Sequence, residues 1–154
     1  MSAQLLEQPR PRALRCARPQ TILLIDDDDV MVDVLDQRLR RQGYETLVAR
    51  GGDEGLALAR LHLPTLIVLD LRLPDADGFH VCQELADARE TCAIPVIILS
   101  GMERPDIIRR SRAAGCQYFV RKPYDPNALL ILMRHAMGEL DPYDSDDDGA
   151  LHVG

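Results

Sequence analysis

Five short apolar runs, each followed by a segment with helical periodicity, constrain the fold of this 154-residue chain more than any other feature. The runs are rich in β-branched residues and occupy residues 22–25, 45–49, 66–69, 96–99 and 118–121. Between them, apolar residues recur at helical spacing, for example Val30, Val34, Leu35 and Leu39. Strands that alternate with helices pair in parallel, because each right-handed crossover returns the chain to the same edge. The pattern predicts five βα units and an α/β fold.

Local signals set the ends of several elements. Three of the runs are continuously apolar, which predicts central strands covered on both faces. Gly43 is suited to the position that follows the first helix. Asp125 followed by Pro126 predicts the start of the last helix, with Asp125 as its N-cap.

The charge is distributed unevenly along a chain of net charge −7. Residues 1–20 carry four Arg against one Glu and several prolines, and residues 138–154 carry five Asp and one Glu with no base. Neither segment has apolar periodicity, so we expect a flexible basic leader, one domain over 21–137 and a disordered acidic tail.

Composition excludes several classes of protein. The apolar runs are far shorter than the roughly 20 residues of a membrane span, and no signal-peptide segment is visible. The four cysteines lack metal-binding spacing, which favours reduced thiols. No basic stripe indicates nucleic-acid binding. We expect a cytoplasmic protein.

Polar side chains follow four of the predicted strands at the point where each strand ends. Asp26 and Asp27 follow the first strand, Asp70 the third, Ser100 the fourth and Lys122 the fifth. In an open parallel sheet, ligands bind beyond the carboxyl ends of the strands, where the strand order reverses. We therefore expect at least two carboxylates of the first strand to converge on Asp70.

Such a cluster of carboxylates is suited to a hard cation and to phosphoryl transfer. Mg²⁺ takes oxygen ligands and commonly uses one or two carboxylates plus a phosphoryl oxygen. A carboxylate can itself be the nucleophile and form an aspartyl-phosphate, for which Asp70 is the candidate. Lys122, the only lysine in the chain, would supply an ammonium and Ser100 a hydrogen bond to the transferred group.

These residues resemble the receiver domain of two-component response regulators over about residues 21–137. The resemblance rests on Asp26–Asp27 after ILLI, on LIVLDLRLPDADG, on the hydroxyl in VIILSG and on RKPY, in the expected order. It implies a flavodoxin-like, doubly wound (βα)5 fold with strand order 2-1-3-4-5. It also implies a phosphorylation-dependent signalling switch rather than a turnover enzyme.

The resemblance assigns a role to each matching residue. Asp70 is the expected phosphoacceptor, Asp27 a direct Mg²⁺ ligand and Asp26 a ligand that acts largely through water. The backbone carbonyl of Arg72 is expected to complete the protein's ligands. Lys122 is expected to contact the phosphoryl group, and the bond between Lys122 and Pro123 resembles one that is cis in this family.

The resemblance also implies a route for the signal. Ser100 matches the switch hydroxyl, and Phe119 stands three residues before Lys122, where the family has a switch aromatic. Phosphorylation of Asp70 is expected to draw Ser100 inward, so that the ring of Phe119 fills the vacated space. This change would remodel the face formed by the fourth helix, fifth strand and fifth helix.

Partners follow from the same resemblance. The expected phosphoryl donor is a histidine kinase or a histidine phosphotransfer protein, and an unknown downstream protein would bind the remodelled face. A homodimer is a further possibility. Neither direct nucleic-acid binding nor membrane insertion is expected.

Two other functions remain open on the sequence alone. A magnesium-dependent phosphatase or phosphotransferase for a small molecule also forms an aspartyl-phosphate, but it uses a second Asp two residues after the nucleophile, where this chain has Arg72. A receiver-like scaffold would bind partners without phosphorylation and would not need the full set of site residues. Asp28 or Asp29 is expected to cap the first helix.

Overall fold

The computed structural model describes residues 20–101, 106–116 and 118–139. Within these residues, five strands alternate with five helices. In chain order they are β1 (Thr21–Ile25), α1 (Asp29–Arg41), β2 (Glu45–Ala49), α2 (Gly52–His62), β3 (Leu66–Asp70), α3 (Gly78–Asp87), β4 (Val96–Ser100), α4 (Ile107–Ala113), β5 (Tyr118–Arg121) and α5 (Pro126–Ala136).

The five strands form one parallel sheet in the order β2-β1-β3-β4-β5. β1, β3 and β4 are therefore central, and β3 and β4 are buried along their whole length. The three continuously apolar runs correspond to these three strands, because helices cover both faces of a doubly wound sheet. The predicted fold class and strand order are confirmed.

Helices on the two faces of the sheet bury two apolar clusters. α2, α3 and α4 pack on one face, with Leu56, Leu85 and Ile107 among the buried side chains. α1 and α5 cover the other face through residues that include Leu39 and Met133. The carboxyl ends of all five strands consequently meet at one edge, which the helices leave accessible.

One helical face differs from the sequence prediction. Val30 and Val34 of α1 are 72% and 50% exposed, whereas Val32, Leu35 and Leu39 face the sheet. The spacing of Val30, Val34 and Leu35 satisfies helical periodicity, but the stripe of Val32, Leu35 and Leu39 satisfies it equally well. The orientation of α1 on the sheet decides between the two stripes.

The predicted helix ends agree with the structure. The Asp28 side chain accepts hydrogen bonds from the backbone N–H groups of Val30 and Met31, so Asp28 is the N-cap of α1. Gly43 has φ of 92° just beyond α1, a conformation that favours glycine. Asp125 caps α5 by accepting from Asn127 N–H.

The described chain continues two residues past the predicted domain boundary at 137. Gly138, with φ of 74°, closes the end of α5, and Glu139 donates its N–H to Arg134 O. The Tyr44 hydroxyl donates a 2.5 Å hydrogen bond to the Glu139 carboxylate. Burial, followed by this carboxylate, raises the pKa of Tyr44 to about 12. The rest of the predicted leader and tail lies outside the described residues.

Candidate functional site

The carboxyl edge of the sheet brings together residues from three separate strands. Asp26 directly follows β1, and Asp70 is the last residue of β3. Both continue the alternation that places Leu24 and Val68 toward α1 and α5. Each is only 7% exposed, whereas the neighbouring Asp27 is exposed.

These three aspartates form a compact cluster. One carboxylate oxygen from each of Asp26, Asp27 and Asp70 lies within 4.8 Å of the other two. The Lys122 ammonium approaches from the end of β5, with Nζ 3.3 Å from Asp70 Oδ2 and 3.4 Å from Asp26 Oδ2. The Lys122–Pro123 bond is cis, as the family resemblance implies. The predicted convergence of these side chains is confirmed.

Backbone groups hold the two buried carboxylates in place. Asp28 N–H donates to Asp26 Oδ1 at 3.0 Å, and Arg72 N–H donates to Asp70 Oδ1 at 3.1 Å. Each carboxylate therefore uses Oδ1 for the backbone and presents Oδ2 to Lys122. The Arg72 hydrogen bond places the backbone of this residue against the Asp70 carboxylate.

The site has more negative charge than its single ammonium neutralises. Burial is the main cause that raises the pKa of Asp26 to about 6, and the Asp70 carboxylate adds to it. The N–H of Asp28 and the ammonium of Lys122 oppose this rise. Burial disfavours the charged form of Lys122, but Asp26 and Asp70 outweigh burial and raise its pKa.

This donor set fits a divalent cation. Three carboxylates supply hard oxygen ligands, and the ammonium leaves the group with an excess of negative charge that a cation would compensate. Two of the carboxylates are buried and one is exposed, so a metal ion there would retain access to water. The arrangement is chemically suited to Mg²⁺ and to an oxygen nucleophile beside it.

Ser100 and Phe119 lie on neighbouring strands. Ser100 ends β4 and is 1% exposed, and its carbonyl accepts from Lys122 N–H at 2.8 Å. The register pairs Phe119 with Ile98, two residues before Ser100, so both side chains project from the same face of the sheet. Phe119 is half-buried against the cluster that packs α3 and α4.

Sequence reasoning missed one residue near the site, Asp75. Its carboxylate accepts hydrogen bonds from the N–H groups of Gly52 at 2.8 Å and Asp53 at 3.2 Å, at the start of α2. These bonds lower the pKa of Asp75. A signal was present, because Gly51 precedes α2 with no capping side chain and the first N–H groups of a helix need acceptors.

No helix in the described part of the chain combines the length and apolar character needed to span a membrane.

Comparison with known proteins identifies relatives of two sizes. The chain is 30% identical over 121 residues to the polar-differentiation response regulator DivK of Brucella anthropi, covering 79% of this chain and 98% of DivK. It is 35% identical over 135 residues to the transcriptional regulatory protein AfsQ1 of Streptomyces coelicolor, covering 86% of this chain. The matched region is 59% of the length of AfsQ1.

Solved structures agree with the fold. A putative response regulator from Chloroflexus aurantiacus superposes with a TM-score of 0.74 at 28% identity, covering 79% of this chain and 99% of that one. A sensor histidine kinase receiver domain from Pseudomonas aeruginosa gives a TM-score of 0.72 at 25% identity, with coverage of 79% and 99%. That structure has a magnesium ion coordinated in its active site cleft.

The family model of the response regulator receiver domain matches residues 22–134. This range contains all five strands except the first residue of β1, together with every residue of the acidic cluster. The chain therefore belongs to the response regulator receiver family of two-component signalling.

Proposed function

We propose that this chain is a phosphorylation-dependent switch that accepts a phosphoryl group on Asp70. The donor is a histidine kinase or a histidine phosphotransfer protein, and the domain acts in the cytoplasm over residues 21–137. The observation that carries the proposal is the convergence of Asp26, Asp27 and Asp70 around the Lys122 ammonium. Members of this family are signalling domains rather than turnover enzymes.

In the chemical step, a carboxylate oxygen of Asp70 attacks the phosphorus of a phosphohistidine. The new P–O bond forms as the P–N bond breaks, and the departing imidazole nitrogen keeps the electron pair of that bond and takes up a proton from water. Arg72 N–H fixes Oδ1 of the Asp70 carboxylate at 3.1 Å, so Oδ2, the oxygen beside Lys122, would be the attacking atom. Lys122, 3.3 Å from that second oxygen, is placed to contact the phosphoryl oxygens as their charge develops.

Mg²⁺ would be held by Asp27, by Asp26 largely through water, by Asp70 and by the backbone carbonyl of Arg72. When bound, it would neutralise negative charge on the carboxylates and on the transferred group. The excess negative charge of the cluster and the raised pKa of Asp26 support this assignment.

The signal would leave the site through Ser100 and Phe119. Both project from the same face of the sheet, the face covered by α3 and α4. A phosphoryl group on Asp70 would draw the Ser100 hydroxyl inward, and the half-buried ring of Phe119 would move into the vacated space. This is a shift between two packings of α4 and β5.

The face formed by α4, β5 and α5, which we term the output face, has a charge opposite to that of the whole chain. The exposed charged side chains of residues 107–137 are four basic ones, Arg109, Arg112, Arg121 and Arg134, and one acidic one, Asp125. Ile108 and Ile131 add exposed apolar surface, at 53% and 40%. A downstream protein with an acidic, partly apolar contact segment would complement this face.

This charge also bears on the possible homodimer. In a two-fold symmetric dimer through the output face, both copies would contribute the same excess of basic side chains, including the exposed Arg109, Arg112 and Arg121. Like charges in an interface are unfavourable unless an acidic residue separates them. If the protein dimerises, we therefore expect a different face to be used.

The test is phosphorylation by a small phosphodonor such as acetyl phosphate. We expect wild-type protein to incorporate phosphoryl in Mg²⁺ and to lose this activity in EDTA. Asp70→Asn should abolish incorporation, and Asp33→Asn, at an exposed carboxylate on α1, should leave it unchanged. Incorporation that persists in Asp70→Asn would overturn the proposal.

The output face can be tested without a known partner. Beryllofluoride mimics a phosphoryl group on a carboxylate, and amide hydrogen exchange reports on local packing. We expect beryllofluoride with Mg²⁺ to change exchange across α4 and β5 in wild-type protein and not in Asp70→Asn. Phe119→Ala should retain phosphorylation and lose most of this change. An exchange change confined to the acidic cluster would contradict the proposed route.

A further inference from the structure

The loop between β3 and α3, residues 71–77, lies beside the candidate metal site and folds back on itself. Gly78 N–H donates to Leu71 O at 3.0 Å, and Arg72 forms an antiparallel bridge with Asp77. Asp77 in turn accepts from Phe79 N–H and caps α3. The base of the loop is thus held by backbone contacts, and its tip comprises residues 73–76.

Asp75 fixes this tip to a different part of the fold. Its two carboxylate oxygens accept separately from Gly52 N–H at 2.8 Å and from Asp53 N–H at 3.2 Å. Gly51, which precedes α2, contributes no capping side chain. Asp75 therefore performs the N-cap function for α2 from a loop 23 residues further along the chain.

The start of α2 is shaped for this contact. A Cβ at Gly51 would lie 2.8 Å from Asp75 Oδ1, and one at Gly52 would lie 2.8 Å from Ala76 Cβ and Val81 Cγ2. Both distances are shorter than ordinary van der Waals contacts. A Cβ at Gly51 would displace the Asp75 carboxylate, and one at Gly52 would push against Ala76 and Val81, so the close approach of the loop is favoured by glycine at both positions.

Residues 49–53, which lead into α2, also contact the segment that follows β1 on the other side of the acidic cluster. Ala49, the last residue of β2, accepts a 3.0 Å hydrogen bond from the backbone N–H of Asp26. The side chain of Arg50 reaches Asp29 at the start of α1, with Nη2 2.8 Å from Oδ1. Residues 49–53 thus connect the loop that carries Asp26 to the loop that carries Arg72.

We propose that Asp75 is a positioning residue for the metal site, which clamps the β3–α3 loop to the start of α2 and so sets the position of the Arg72 backbone relative to Asp26. The inference rests on the proposed function, since it concerns the same Mg²⁺ and phosphoryl site. Asp75 contacts neither the metal nor the phosphoryl group in this role. Groups that orient metal ligands from outside the first layer of contacts strongly affect metal affinity.

The test compares Mg²⁺ binding, measured by isothermal titration calorimetry, with amide exchange at Gly52 and Asp53. Asp75→Ala should weaken Mg²⁺ binding roughly 10-fold and speed exchange at both amides. Asp75→Asn keeps one acceptor oxygen and should fall between Asp75→Ala and wild type. Asp87→Ala removes an exposed carboxylate from α3 and should change the Kd by less than about twofold.

A purely structural role would give a different result. If Asp75→Ala lowers the melting temperature but binds Mg²⁺ within about twofold of wild type, the proposal is wrong. If Asp75→Ala does not fold, Asp75→Asn decides: weaker binding with faster exchange at Asp53 supports the clamp, and wild-type Mg²⁺ affinity overturns it. Failure of wild-type protein to accept phosphoryl would overturn the proposed function, while the Mg²⁺ titration would still test the clamp.

Discussion

Substituting Asp26 by Asn should stabilise the metal-free protein while weakening its site. Asp26 is 7% exposed, lies within 4.8 Å of two other carboxylates and is 3.4 Å from Lys122. The Asn side chain retains an oxygen for the Asp28 N–H but no longer places a buried charge beside Asp70. The substitution therefore removes the free-energy penalty of burying a charged carboxylate, which the wild-type protein carries in the absence of a cation.

The size of this cost follows from the electrostatics. An ion pair at about 4 Å and an effective dielectric of about 20 is worth about 4 kcal/mol, so attraction to Lys122 and repulsion from Asp70 are of similar size and largely cancel. Burial then dominates, and it raises the pKa of Asp26 from 3.8 to about 6. This rise corresponds to at most about 3 kcal/mol, and solvent at the rim of the site reduces it to about 1–2 kcal/mol.

The unfolded and folded pKa values of Asp26 also determine whether its contribution to the free energy of unfolding rises or falls with pH. Between pH 3.8 and about 6, the folded protein binds more protons at Asp26 than the unfolded chain does. The contribution of Asp26 to the free energy of unfolding therefore falls as the pH rises through this window, and the cost is complete above it. The difference between Asp26→Asn and wild type should be largest at neutral pH and should disappear as the pH falls below 3.8.

Urea denaturation in EDTA measures this difference directly. We expect Asp26→Asn to exceed wild type by about 1–2 kcal/mol at neutral pH, and Asp33→Asn, the exposed control, to match wild type. Saturating Mg²⁺ should stabilise wild type more than the variant, since a ligand that binds the folded state better stabilises it more. Equal or lower stability of Asp26→Asn at neutral pH would show that the buried Asp26 carboxylate does not destabilise the metal-free protein.

Three further substitutions, one of them paired with a control, test other contacts in the protein. Tyr44→Phe removes the hydrogen bond to the Glu139 carboxylate and should lower the free energy of unfolding, measured by urea denaturation, by about 1 kcal/mol. An unchanged free energy of unfolding would show that this hydrogen bond does not stabilise the fold. Gly78→Ala would place a Cβ 2.5 Å from Leu71 Cα and should lower the free energy of unfolding by about 1–3 kcal/mol. In the control Gly101→Ala, the nearest neighbour of the new Cβ lies at 3.9 Å, and the free energy of unfolding should hardly change. Equal effects of the two substitutions would contradict the steric explanation. Lys122→Met should bind Mg²⁺ more tightly yet slow phosphorylation by about 100-fold, and an unchanged rate would exclude the proposed role of the ammonium.

The fold could be predicted because its signals are local. The runs mark the five strands to within one residue at each end. The signal is strongest for β1, β3 and β4, since a strand buried on both faces must be apolar throughout. The caps at Asp125 and Gly43 are likewise encoded within a few residues. The convergence of Asp26 and Asp70 required one further step, the rule that parallel strands bring their carboxyl ends to one edge.

Features that depend on long-range packing could not be predicted in this way. The exposure of Val30 and Val34 depends on how α1 is rotated against the sheet, which the periodicity of α1 alone does not determine. The contact between Asp75 and Gly52 joins a loop to the first residue of a helix 23 positions away, and no apolar pattern links the two segments. Both features follow from the assembled fold rather than from any one segment.

Asp70 is the side chain that we propose accepts the phosphoryl group. Peptide mapping by mass spectrometry, after incubation with acetyl phosphate and Mg²⁺, tests this assignment most directly. We expect one phosphoryl group per chain, carried by the peptide that contains Asp70 and absent when Mg²⁺ is withheld. A phosphoryl group mapped to Asp26, to Asp27 or to a histidine would contradict it.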